Sequence, residues 1–279
     1  AKEIASEHSD ILRERLSQAS IEEIRDFLSG IAWVDKELAK EIASEHSDIL
    51  RERLSQASIE EIRNFLRDIA RADKGLAKEI ASEHSDILRQ KDLSQASIEE
   101  IGDFLRIIAR VNKELAKEIA SKHSDILRQK DLSQASIEEI RDFLRDIARA
   151  DKELAKEIAS EHSNILRERL SQASIEEIVD FLWSIAWVDK ELAKEIASEH
   201  SNILRERLSQ ASTKEIGDFL MGIARADKEL AKEIASEHEK ILKKKLSEEK
   251  NHQVRLFFIG VINRYIDPDM AKRLMDVLF

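Results

Sequence analysis

The segment IEEIRDFLSGIAWVDKELAKEIASEHSDILRERLSQAS at positions 21–58 constrains this chain more than any other feature, because copies of it fill almost everything that follows. Copies begin at Ile21, Ile59, Ile98, Ile137, Ile175 and Thr213. The spacing is 38 residues, stretched to 39 where RERL becomes RQKDL at 89–93 and 128–132. A fixed period of this size means stacked supersecondary units, each packing mainly on its neighbours. The expected organisation is one domain over 1–279, with a half repeat at 1–20, six tandem repeats at 21–250 and a divergent capping repeat at 251–279. Position 1 falls inside the repeat pattern, which suits a fragment or a processed chain.

Within each unit, Ser20 followed by Glu23 has the spacing of a capping box. The serine oxygen accepts from an orphan N–H and the glutamate reaches back to the serine N–H. The pair recurs as Ser58/Glu61, Ser97/Glu100, Ser136/Glu139, Ser174/Glu177 and Ser212/Glu215. Ile21, Ile24, Leu28 and Ile31, widened by Phe27 and Ala32, then make an apolar stripe for a first helix of about 14 residues. Asp35 stands where a second N-cap belongs. Leu38, Ile42, His46, Ile49 and Leu50 continue on one face, predicting a second helix of about 19 residues.

The apolar spacing from Ile21 to Ile42 nearly keeps heptad phase, as one uninterrupted helix would. The last unit argues for a hairpin instead. There the junction reads Ile266-Asp267-Pro268-Asp269-Met270, and proline suits the first turn of a helix while disrupting an interior. The fold expected is all-α, a right-handed alpha-solenoid of stacked two-helix repeats with about fourteen helices. In the capping repeat, Val254, Leu256, Phe258, Ile259 and Ile262 would form one helix and Met270, Leu274 and Leu278 the other.

Tandem hairpins of this length resemble the alpha-solenoid families, chiefly the HEAT and tetratricopeptide types. The tetratricopeptide pattern of Trp, Gly, Tyr and a late Pro is not reproduced, and the first-helix proline of many HEAT repeats is absent, so no residue role carries over. The resemblance implies a curved superhelix whose inner surface binds proteins or peptides.

Charged residues make up 37% of the chain and aromatics 5%, with one proline and six glycines, a long-helix profile. The net charge of −11 counts against duplex nucleic acid, which demands a basic surface. There is no cysteine, so disulfides and thiolate metal sites are unavailable, and a cytoplasmic, reducing setting is expected. The longest apolar run, at 256–262, is too short to cross a bilayer, and no membrane partner is expected.

Comparison among the copies locates the variation. The copies starting at Ile21 and Ile175 differ only at Arg25/Val179, Ser29/Trp183, Gly30/Ser184 and Asp48/Asn202. Across all units the fifth, ninth and thirteenth columns of the first helix change most, with the tenth. Columns five, nine and thirteen form one i, i+4, i+8 stripe beside the apolar face. It holds Arg25, Ser29 and Trp33, then Arg63, Arg67, Arg71, Arg106, Arg110, Arg141, Arg145 and Arg149, then Val179, Trp183, Trp187, Met221 and Arg225. Trp and Arg are the types most enriched at binding hot spots, and arginine forks onto carboxylate or phosphate. The bland alternative has the arginines pairing with acids such as Asp68 and Asp146, and the tryptophans covering the edge of the core. Gly30, Gly102, Gly217 and Gly222 also fall in variable columns, each costing about 1 kcal/mol against alanine in a helix.

A histidine recurs at His8, His46, His84, His123, His162, His200 and His238. One per layer makes a ladder rather than a converging ligand set, so half-buried structural histidines are expected and no metal or other cofactor. No phosphate loop, nucleophile elbow or dinucleotide fingerprint is present, and identical groups in every unit do not make an active site. The function expected is a non-catalytic scaffold binding a protein or peptide, acidic or phosphorylated with aromatic anchors. A structural spacer or oligomerisation rod, and a single-stranded RNA-binding repeat protein, are the alternatives.

Overall fold

The computed structural model describes residues 9–276, so His8 and Leu278 lie outside the described residues. Among these there are 21 α-helices, one π-turn and no strand. The chain forms two compact units, Ala1–Lys130 with Arg149–Leu154, and Asp131–Ala148 with Ala155–Phe279. No helix among the described residues is long and apolar enough to cross a membrane.

The first unit carries α1 (Ser9–Gln18) and three repeats: α2 (Ile21–Val34), α3 (Lys36–Glu45), α4 (Ser47–Gln56); α5 (Ile59–Ala72), α6 (Lys74–Glu83), α7 (Ser85–Gln90); and α8 (Ile98–Val111), α9 (Lys113–Lys122), α10 (Ser124–Arg128). The next repeat is α11 (Ile137–Ala150), α12 (Lys152–Glu161) and α13 (Ser163–Gln172). The second unit continues with α14 (Ile175–Val188), α15 (Lys190–Glu199), α16 (Ser201–Gln210), α17 (Thr213–Ala226), α18 (Lys228–Glu237), α19 (Glu239–Glu248), α20 (His252–Val261) and α21 (Pro268–Met275). First helices stack on first helices, α2 on α5 and α5 on α8 in one unit, α14 on α17 and α17 on α20 in the other.

The helix starts are where the residues place them. Every first helix of the six repeats opens on its capping box, with Ser58 N–H donating to Glu61 Oε2 at 2.7 Å and Glu61 N–H to Ser58 Oγ at 3.2 Å as the pattern. The box at Ser136 and Glu139 is made in the same way. Asp35 and Asp73 cap the second helices by accepting from Leu38 and Leu76 N–H at 3.0 and 2.8 Å. Asp267 does the same for α21, with Pro268 in its first turn. The hairpin reading therefore holds over the uninterrupted helix.

The count of about fourteen helices needs correction. The stretch expected as one second helix is two, α3 and α4, divided at His46, whose φ −109° and ψ 29° leave the helical basin. His46 N–H still donates to Ile42 O, and Leu50 N–H to His46 O, so one residue suffices for the break. Leu38, Ile42, His46, Ile49 and Leu50 all remain buried on a common face across it. The same division occurs at His84, His123, His162, His200 and His238.

Four of these histidines are more buried than expected, while His162 is half-buried as expected. His46, His84, His200 and His238 are 1–2% exposed, and neither ring nitrogen of any of the four has a hydrogen-bond partner. His123 Nε2 instead lies 3.1 Å from Arg89 O. His46 sits among Leu16, Ile24, Leu28, Ile42 and Leu50. One phenylalanine per later repeat, from Phe65 to Phe258, completes the core, each fully buried and stabilising by about 1.5–3 kcal/mol.

Length irregularities are absorbed locally. In the 39-residue copies the third helix shortens to 6 residues in α7 and 5 in α10, against 10 in α4. Leu93 and Leu132 stay buried all the same. In the last repeat the extra residue of the first helix goes into the π-turn Ile262–Ile266.

Candidate partner-binding surface

The stripe is graded in exposure along each first helix, because column five faces the next repeat while column thirteen stands clear of it. In the first unit, Arg25 has a side chain 18% exposed and contacts Asp26 at 2.8 Å and Asp68 at 3.6 Å. Arg63, at 16%, reaches Asp103 on α8 at 2.9 Å and Glu60 at 3.3 Å. In the ninth column, Ser29 Oγ donates to Asp26 O, Arg67 pairs with Asp68 at 3.1 Å and Arg106 with Asp103. In the thirteenth, Trp33 is 71% exposed, Arg71 is exposed although it touches Asp68 at 3.2 Å, and Arg110 is exposed with no acid in contact. Arg149 is half-buried and engaged within the chain.

In the second unit, Arg141 contacts Asp142 at 2.9 Å. Arg145 contacts Asp142 at 2.9 Å, the buried Asp146 at 3.3 Å and Ser184 Oγ at 3.3 Å. Val179 is half-buried against α17, where a Cβ on Gly222 would lie 2.8 Å from Val179 Cγ1. Trp183 and Trp187, 41% and 68% exposed, stack with ring centroids 5.9 Å apart and planes 24° from parallel. Arg225 is exposed and points a nitrogen at Met221 Sδ, 3.8 Å away.

The arginines and tryptophans thus part company. Arg25 and Arg63 tie neighbouring first helices together through Asp68 and Asp103, while Arg67, Arg141 and Arg145 pair with acids of their own helices, Asp68, Asp142 and Asp146. Trp33 and Trp187 are mostly solvated and Trp183 partly so, which leaves apolar surface facing water, with Val34 beside Trp33. Exposed indoles of this size have affinity to give to a partner, because burying each removes a large apolar area from water. The stacked pair presents two indoles side by side as one apolar platform.

Two features escaped the pattern of the stripe. The acids of columns two and six persist beside Val179 after the arginine is lost. A purely compositional reading of column five passes over that retention, although the residues carry it. The second is the set of exposed apolar side chains on the last repeat, Leu256 at 59% and Phe257 at 36%. Among the described residues no three His, Asp or Glu side chains converge as metal ligands. No protein-family model, curated protein or solved structure matches the chain.

Proposed function

We propose that the chain is a non-catalytic binding scaffold, a right-handed alpha-solenoid of the HEAT-like or tetratricopeptide-like kind, that captures a protein or peptide through the first-helix stripe. The observation that carries this reading is the exposure of all three tryptophans in a chain that buries one phenylalanine in each repeat from Phe65 to Phe258. The ninth and thirteenth columns, which hold the three exposed tryptophans, are among those that differ between copies, as a shared framework with a varied contact surface requires. Preorganised helices hold the indoles in place, so little ordering cost falls on binding. In the first unit, Arg71 and Arg110 beside Trp33 suit an acidic or phosphorylated group. A cysteine-free chain suits work in the cytoplasm.

The spacer reading draws support from the inward pairing of Arg25, Arg63 and Arg141, which leaves those side chains little to offer a ligand. Capture from a lysate separates the two. The wild-type chain is compared with a variant carrying Trp33→Ser, Trp183→Ser and Trp187→Ser, at matched helicity. A partner held by the first and lost by the second is expected; capture of the same partners by both places binding elsewhere, and capture by neither favours the spacer.

A further inference from the structure

The fifth-column arginines Arg25 and Arg63 reach across the gap to the next repeat, and Arg63 is the array's own example of what that gap accepts. At Arg63 the guanidinium donates to Asp103 across the gap at 2.9 Å, to Glu60 one turn back at 3.3 Å, and to Asn64 beside it. Arg25 also pairs beside itself and across the gap, with Asp26 and with Asp68, the latter from the tenth column rather than the sixth. In the repeat of α14 the column holds Val179, yet the cradle is kept: Glu176 stands where Glu60 does, Asp218 where Asp103 does, and Asp180 where Asn64 does. A cavity of about 150 Å³ opens at this place, lined by Glu176, Val179, Asp180, Glu215 and Asp218 over Phe219. Glu176, Asp180 and Asp218 are exposed and meet no lysine or arginine among the described residues.

We propose that this cavity receives an arginine side chain of a partner protein or peptide, whose guanidinium takes the place that Arg63 occupies in its own repeat. The inference rests on the partner-binding reading above and gives it a partner chemistry. Acids on two helices, three of them without a cation, favour a positive group, and a planar fork that bridges them favours arginine over the point charge of lysine. Trp183 and Trp187 continue the same face, about 6 and 12 Å further along α14 at 1.5 Å per residue. An extended partner strand advances roughly 3.3 Å per residue, so an apolar side chain two to four positions from the arginine lands on the indole pair. The charge at this face is opposite to that offered by Arg71 and Arg110 in the first unit.

The test titrates the full chain with the peptide acetyl-Arg-Ala-Leu-Ala-Leu-amide and with its citrulline analogue, following the three indole N–H resonances by NMR. Expected are saturable shifts at Trp183 and Trp187 but not at Trp33, and binding weakened about tenfold or more by citrulline, which keeps the shape and removes the charge. Val179→Arg supplies the guanidinium from within, as the sister repeats do, and is expected to fold and to abolish the shifts. No saturable shift in the wild type, equal affinity for the citrulline peptide, or unchanged shifts in Val179→Arg each overturn the arginine site. Failure of the wider reading looks different. If the tryptophan variant loses a lysate partner that Val179→Arg retains, the surface stands and the arginine site falls; if the tryptophan variant keeps every partner, the surface falls and the site with it.

Discussion

Gly30 and Gly222 occupy the same column of two first helices and face opposite surroundings. A Cβ on Gly30 would meet nothing within 4 Å, whereas one on Gly222 would lie 2.8 Å from Val179 Cγ1, a side chain stiff at χ1. Gly30→Ala is therefore expected to stabilise by up to about 1 kcal/mol through helix propensity alone. Gly222→Ala loses that gain to the clash and is expected to destabilise by about 1 kcal/mol. Urea unfolding of both, with Gly222→Ala repeated in a Val179→Ala background, checks the assignment; the cost at Gly222 should vanish in the double variant. At this scale the residues spoke unevenly. Serine, glutamate and aspartate at cap positions could be read directly, since each makes a local bond to its own helix. A glycine's reason lies in a neighbour 43 residues away in sequence, as with Val179 and Gly222, and local spacing is blind to it.

Among the elements, the end of the third helix or the residues just past it carry a bond that survives a change of residue. Lys91 Nζ donates to Ser55 O at 2.8 Å and Ala57 O at 2.6 Å, and Lys130 does the same to Ser94 O and Ala96 O. In the shorter copies the role falls to arginine: Arg169 Nε donates to Ala135 O at 2.8 Å, and Arg53 reaches Ser17 O. A cation thus closes the C-terminal carbonyls of the preceding repeat in either kind of copy. Lys91→Met is expected to cost about 1–3 kcal/mol by leaving these acceptors without a donor, and Lys91→Arg to cost far less. Thermal unfolding of the pair is the check. The break at His46 was illegible for a related reason. A one-residue departure leaves the apolar face continuous, no glycine or proline marks it, and periodicity therefore joins what the backbone divides.

Across the whole molecule the histidines act in number. Burial pushes His46, His84, His200 and His238 below the ordinary imidazole range. Glu45 and Asp48 oppose this at His46 and Arg13 reinforces it; Glu83 and Asp86 oppose Arg51 at His84, Glu199 opposes Arg167 at His200, and Glu237 opposes Arg205 at His238. A base with a lowered folded pKa stabilises the fold above its unfolded pKa and loses that contribution as pH falls through 6.5 and below. The melting temperature is expected to drop by about 5 °C or more between pH 7.5 and 5, and His84→Leu with His200→Leu to flatten the profile. Glu239, held between Arg273 and Lys243 and pushed down to about 2, gives up its contribution mainly below that window. The repeat order and the first-helix stripe were legible because both recur in register. Which stripe residues stay exposed was not, since pairing across the stack consumes Arg63 and spares Trp33. The shortened α7 and α10 and the π-turn Ile262–Ile266 carry one last implication. An added residue is taken up inside the copy where it occurs, and the next serine–glutamate box restores the frame. Such an array edits its own misprints, so units can be duplicated, dropped or lengthened without the error travelling down the chain.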